Sequence, residues 1–328
     1  MGKYAVIGSN SFSGSSFVKH LCKEGHEVLG ISRSSELHPV FLAYKDHDER
    51  KFAFHQLDLN HDLDSVIDTL GDFRPDYVVN FAAQGMVAQS WKKPEDWFQT
   101  NAVATVKLHD ELRKFDWLKR YVHVSTPEVY GSCEGLVKED HPFSPSTPYA
   151  VSRAAADMSL LSFIKAYNFP VVFTRAANVY GEHQQLYRII PRTILFFLTG
   201  KKLQLHGGGT SVRSFIHIDD VCEGTQRAAE QGNTGEVFHF ATSENISIRS
   251  LVEIISERMG VRFKDHVEVA GERLGKDAAY LLDCTLAKER LQWKPRISLR
   301  EGLDRTSRWV KNNLESLLLQ PKDYVHKP

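Results

Sequence analysis

Short apolar runs rich in β-branched and aromatic residues alternate with helical stretches through the first half of the chain. Residues 4–7, 26–31, 52–57, 77–81, 121–124 and 171–174 read as strands. Between them, 17–23, 66–70, 102–115 and the alanine-rich 149–167 read as helices, the last introduced by Pro145, Ser146 and Pro148. Apolar strands alternating with helices at this spacing predict an α/β fold with a parallel, doubly wound sheet. From about Asn178 the alternation loosens. The Gly207-Gly208-Gly209 turn, the run 211–218 and a helix over 250–258 predict a smaller second lobe.

Charge and composition narrow the function classes. Lys plus Arg equals Asp plus Glu, 41 each in 328 residues, so no global field draws the chain to nucleic acid or an acidic membrane. No apolar run approaches the ~20 residues that span a bilayer, and the first residues enter a strand without a signal-peptide pattern. Cys22, Cys133, Cys222 and Cys284 are scattered without metal-ligand spacing and read as reduced thiols. A soluble, cytoplasmic protein without a metal centre is expected.

The first strand runs into Gly8-Ser9-Asn10-Ser11-Phe12-Ser13-Gly14 and then a helix. Small residues there let the backbone approach a pyrophosphate, whose charge meets N–H groups at the helix N-terminus. Gly8, Ser11, Phe12, Ser13 and Gly14 are therefore candidate cofactor contacts. The second strand ends in Ser32-Arg33-Ser34-Ser35, with no acid to accept from ribose hydroxyls. Arg33 points to NADP through its 2′-phosphate, with NAD, its adenine stacked on Arg33, as the alternative. Asp58, followed by Leu59, is placed either to meet the adenine amino group or to cap the next turn. Phe81, Ala82, Ala83 and Gln84 follow the fourth strand and would line the dinucleotide.

Two further stretches carry chemistry: Ser125-Thr126-Pro127-Glu128-Val129-Tyr130-Gly131, and Tyr149-Ala150-Val151-Ser152-Arg153. The first sets a hydroxyl and a carboxylate together at a strand end. The second puts a phenol and a cation one helical turn apart, where both reach one bound molecule. With Gln99-Thr100-Asn101, the segments 174–181 and 213–220, and Leu291-Gln292-Trp293-Lys294-Pro295, this set resembles the extended short-chain dehydrogenase/reductase family nearly end to end. Within it the resemblance is to the nucleotide-sugar dehydratases, decarboxylases and epimerases, the group containing the GDP-mannose and dTDP-glucose 4,6-dehydratases.

The resemblance implies a Rossmann-type dinucleotide domain over 1–177, with 213–242 returning to it. A nucleotide-sugar-binding cap would comprise 178–212 and 243–328. It implies a tightly held nicotinamide cofactor, an NDP-sugar substrate, and a homodimer joined as a four-helix bundle through helices 102–115 and 149–167. Asn178, Arg213 and Arg273 match positions that meet the sugar-nucleotide phosphates, a task suited to bidentate guanidinium. Leu205 lies in the segment that borders the base, and Arg188 and Gln84 complete the expected substrate contacts.

Tyr149 matches the family's base. A phenol has a pKa near ~10, so working near neutrality needs a stabilisation of its anion worth about 4 kcal/mol. A cation at ~4 Å supplies about that much at an effective dielectric of ~20. Here the cation is Arg153, where the family normally has Lys, so hydrogen bonds to the cofactor ribose must differ. Thr126 would bind the C4 oxygen and Glu128 would remove the C5 proton once C4 is a ketone. Pro127 stands where some dehydratases carry an acid. The leading expectation is an NDP-sugar 4,6-dehydratase. The alternatives are an epimerase, an NDP-uronate decarboxylase, or a sensor that binds cofactor without turnover.

Overall fold

The computed structural model describes residues 1–46, 51–271 and 281–327. Seven strands form one parallel sheet: β1 (Lys3–Ile7), β2 (Glu27–Ser32), β3 (Phe52–Gln56), β4 (Tyr77–Asn80), β5 (Arg120–Val124), β6 (Val171–Ala176) and β7 (Val237–Phe240). Their spatial order is β7-β6-β5-β4-β1-β2-β3, every neighbouring pair parallel. Chain order thus reverses between β1 and β4, and at this switch point the loops at the strands' carboxyl ends part to leave a crevice.

The strand patterns explain the layering. β1, β2, β5 and β6 are buried almost throughout, as strands covered on both faces must be, whereas edge strand β3 is largely accessible. Two apolar cores form, one on each face. Phe17, Val18 and Leu21 of the helix Phe12–Lys23 join Val221 and Ala228 of the helix Ile218–Gln231 on one side. Val66, Leu70, Leu108, Leu112 and Leu160 fill the other.

A third core, containing Leu186, Ile190, Ile194, Leu251, Ile255, Leu303 and Val310, belongs to the helices Ile189–Leu198, Ile248–Met259 and Leu299–Asn312. A small sheet of Asn178–Tyr180, Val212–His217 and Asn245–Ser247 adjoins them. Among the described residues no helix is long and apolar enough to cross a membrane.

Two elements depart from expectation. The helix expected over 17–23 begins at Phe12, because the Ser11 side chain caps it. The helix expected over 102–115 is the end of a longer run: Pro94–Phe98, a π-helical stretch Gln99–Ala104, then Thr105–Leu112. The wider π turn carries the fully buried Asn101.

Candidate active site

The crevice at the switch point is a cleft of about 1090 Å³. At its β1 side the backbone turns sharply at Gly8, with φ of +84°. A Cβ there would lie 2.7 Å from the Ala82 backbone nitrogen, and one at Gly14 would lie 2.2 Å from the Gly8 carbonyl oxygen. Only glycine lets the turn, the helix and the β4 loop approach so closely. Ser11 Oγ donates to the Gly8 carbonyl at 2.7 Å and accepts from the Gly14 N–H at 3.0 Å. Ser11, Phe12 and Ser13 consequently present a helix N-terminus to the cleft, a setting for an anion.

Arg33, Phe81, Ala83 and Gln84 also line the cleft, while Gly8, Gly14 and Ala82 shape its wall from behind. Asn10 holds the end of β2 in place: its N–H donates to Ser32 Oγ, and its Nδ2 donates to the carbonyls of Ser34 and Ser35. Asp58 accepts from the Asn60 N–H at 2.9 Å, and Leu59 is packed in the core. Asn101, which the motif contained without a role, locks two walls together. It accepts from the Gln84 N–H at 2.7 Å and donates to the Gln84 carbonyl at 3.0 Å and to Ser152 Oγ at 2.9 Å.

The catalytic candidates meet on the opposite rim. Thr147 caps the helix Pro148–Tyr167, accepting from the Ala150 N–H, and Pro148 occupies its first turn. This aims Tyr149 and Arg153 into the cleft beside Thr126 and Glu128. Thr126 Oγ1 accepts from the Glu128 N–H at 3.3 Å, fixing the short turn Pro127–Tyr130, and its hydroxyl also bonds the Tyr149 phenol. Burial, and then the Glu128 carboxylate, push the phenol's pKa up; Arg153, Thr126 and Arg188 oppose them without prevailing. The surroundings of the phenol thus favour its neutral form.

Arg153 is 2% exposed and donates through Nη2 to the Val124 carbonyl, with His123 Nε2 at 3.4 Å. Behind it runs a buried polar chain. Asp157, one turn further along the helix, accepts from Ser125 Oγ at 2.8 Å and from Arg175 Nη2 at 2.8 Å, and His123 Nε2 lies 3.3 Å from it. Arg175 also donates to the Tyr130 hydroxyl, which lies 2.8 Å from His239 Nε2. Burial raises the Asp157 carboxyl, but Arg175 and His123 outweigh it and hold it well below the usual carboxylate range. Burial keeps His123 and His239 neutral, the latter lowered to about 3. Asp157 thus pairs with Arg175, while Arg153, held by the Val124 carbonyl, brings its charge to bear on Tyr149.

The remaining wall comes from the smaller unit. Asn178, Arg188, Leu205 and Arg213 line it, joined by Arg192 and Lys202. Asn178 Nδ2 donates to the Ser214 carbonyl and Arg213 Nη1 to the Val212 carbonyl. Arg273 lies outside the described residues.

A family model described as GDP-mannose 4,6 dehydratase matches residues 6–306. The chain belongs to this family. Within it, the dTDP-glucose 4,6-dehydratase of Streptomyces antibioticus is 36% identical over 239 residues, covering 73% of this chain and 71% of that protein. The dTDP-glucose 4,6-dehydratase DesIV of Streptomyces venezuelae, solved with NAD bound, superposes with a TM-score of 0.88 at 31% identity, covering 96% of this chain and 98% of DesIV. The UDP-glucuronic acid 4-epimerase of Bacillus cereus, solved with UDP-glucuronic acid and NAD, gives 0.86 at 27% identity, with 94% and 99% covered. The chain is thus a nucleotide-sugar dehydratase of the extended short-chain dehydrogenase/reductase group, an enzyme that works with a nicotinamide cofactor.

In this family member the Asp157 pair gives a direct test of how the site is held. Asp157→Asn leaves the buried Arg175 guanidinium without its carboxylate and should cost about 3–5 kcal/mol in urea unfolding. Since the folded carboxyl titrates below the unfolded one, the parent's advantage should be full above about pH 4 and fade as pH falls through the folded value.

Proposed function

We propose that the enzyme converts an NDP-hexose to its 4-keto-6-deoxy product, with NAD as the resident cofactor. The observation that carries the reading is Glu128 lining one cleft with Thr126 and Tyr149, its charge acting on the phenol: a carboxylate at this point serves proton removal from carbon, which a simple 4-epimerase does not require. The glycine-shaped turn at Gly8 and Gly14 and the helix N-terminus behind Ser11 fit a dinucleotide pyrophosphate. Support for NAD over the NADP suggested by Arg33 comes from the relatives solved with NAD. Arg33 moreover donates to the Lys327 carbonyl at 2.9 Å.

The proposed chemistry assigns each side chain of the cleft one task. Thr126 holds the sugar O4 while Tyr149, as phenolate, takes the hydroxyl proton. A nicotinamide cofactor held by the Gly8–Gly14 turn and the Phe81–Gln84 wall would supply an acceptor for the C4 hydride and its return to C6, and its positive charge would favour the Tyr149 phenolate. Arg153, anchored on Val124, keeps its charge beside the phenolate. With C4 a ketone, the C5 proton is acidic and Glu128 removes it. Pro127 offers no acid, so the protonated Glu128 passes its proton to the departing C6 hydroxyl, which leaves as water. Solvent restores the C5 proton, and Tyr149 surrenders its own to solvent. We assign the sugar diphosphate to Arg188, Arg213, Asn178 and Arg273, and the base to the Leu205 segment.

The domain division at 177/178, with 213–242 returning, remains our reading of the lobes; the separate apolar core of the smaller unit supports it. A homodimer is supported by accessible apolar side chains along one helix, Val151, Met158 and Leu161, with Val103 nearby in sequence to the second helix of the expected bundle. None of the four cysteines forms a disulfide, which supports a cytoplasmic location.

Incubation with dTDP-glucose and NAD should yield a product lighter by one water in mass spectrometry. Unchanged mass would indicate epimerisation, and carbon dioxide from an NDP-uronate would indicate decarboxylation. Glu128→Gln should lower water loss by about 10²–10⁴. Removing the anion that raises the phenol should also move the rising limb of C4 oxidation, followed by absorbance of the reduced cofactor, to lower pH. Met158→Asp should convert a dimer to a monomer in light scattering; an unchanged mass would place the interface elsewhere.

A further inference from the structure

Beyond the helix Leu314–Leu318 the chain crosses back over the cleft, and Tyr324, Val325 and Lys327 form part of its wall. This segment has no regular secondary structure, yet its side chains alternate. Lys322, Tyr324 and His326 are partly buried, whereas Asp323, Val325 and Lys327 are exposed. That period of two is the mark of an extended segment with one face docked.

The docked face is specific at both ends. His326 stacks on the fully buried Trp97, with ring centroids 4.9 Å apart and planes 6° from parallel, and its Nε2 lies 2.7 Å from Asp96 Oδ2. Tyr324 meets Tyr187 edge-to-face at 5.5 Å. The Lys327 carbonyl accepts from both Arg33 and Gln84, at 2.9 and 2.6 Å. The segment therefore ties the β2 and β4 loops to the smaller unit across the mouth of the cleft, leaving the cavity beneath it.

We propose that residues 322–327 are a strap that retains the dinucleotide, with Tyr324 and His326 as its positioning residues. This inference rests on the proposed redox reading of the same cleft. It also matches what that chemistry needs. Hydride that leaves C4 returns to C6 in the same turnover, so the cofactor is regenerated without leaving. A cover that slows its exchange costs no turnover and keeps water from the ketone.

The test uses the full chain carrying Tyr324→Ala and His326→Ala together, partly buried side chains that belong to none of the three apolar cores. NADH is loaded and its release followed by fluorescence on adding excess NAD. Release should be at least tenfold faster than from the parent. In the parent, backbone hydrogen exchange over 322–327 should slow when NAD is bound. An unchanged or slower release, or exchange that is unchanged or quickens with NAD, would overturn the strap, the last by showing that the segment competes with the dinucleotide. A parent that binds no NADH would instead refute the redox reading, and the strap with it.

Discussion

A carboxylate shut away from water, Asp157, holds the active-site rim together. Its ion pair with Arg175 joins the helix Pro148–Tyr167 to β6, and its bond from Ser125 joins the same helix to the end of β5. Tyr149 and Arg153 ride on that helix, and Thr126 and Glu128 follow Ser125 directly. The candidate catalytic groups are therefore fixed relative to one another by a charge that cannot relax into solvent. A buried ion pair is weak as a net stabiliser, but breaking one is expensive. Here that asymmetry preserves geometry.

The same arrangement sets the electrostatics. Burial and Glu128 favour the neutral phenol, and Arg153 alone does not reverse them. In the proposed mechanism a bound nicotinamide would add the positive charge that makes Tyr149 a competent base, which would couple proton removal to the presence of an oxidant. Arg153 in place of the family's Lys fits this scheme. Its Nη2 is held by Val124 and stands near His123, which burial keeps neutral, so the guanidinium brings charge to the rim without a carboxylate to cancel it.

Much of this was legible in local sequence. The apolar strands, the Gly8 to Gly14 turn, and the pairs Thr126/Glu128 and Tyr149/Arg153 follow short periods or single loops, and the structure brings them to one cleft. What local pattern does not carry is pairing between distant segments. Asp157 and Arg175 look like ordinary helix and strand residues until β5 and β6 lie side by side. Asn101 gains its role only because a π turn rotates it towards Gln84 and Ser152. The segment 322–327, placed only within the expected cap, finds its partners Asp96 and Trp97 more than 200 residues away.

The central claim is that one enclosed site removes hydride from C4 and returns it to C6 around a deprotonation at C5. The most direct test supplies dTDP-glucose deuterated at C4 and locates the label in the product by nuclear magnetic resonance. The account predicts deuterium at C6 of a 4-keto-6-deoxy sugar, with a solvent proton at C5. Deuterium returned to C4, or lost to solvent, would contradict it.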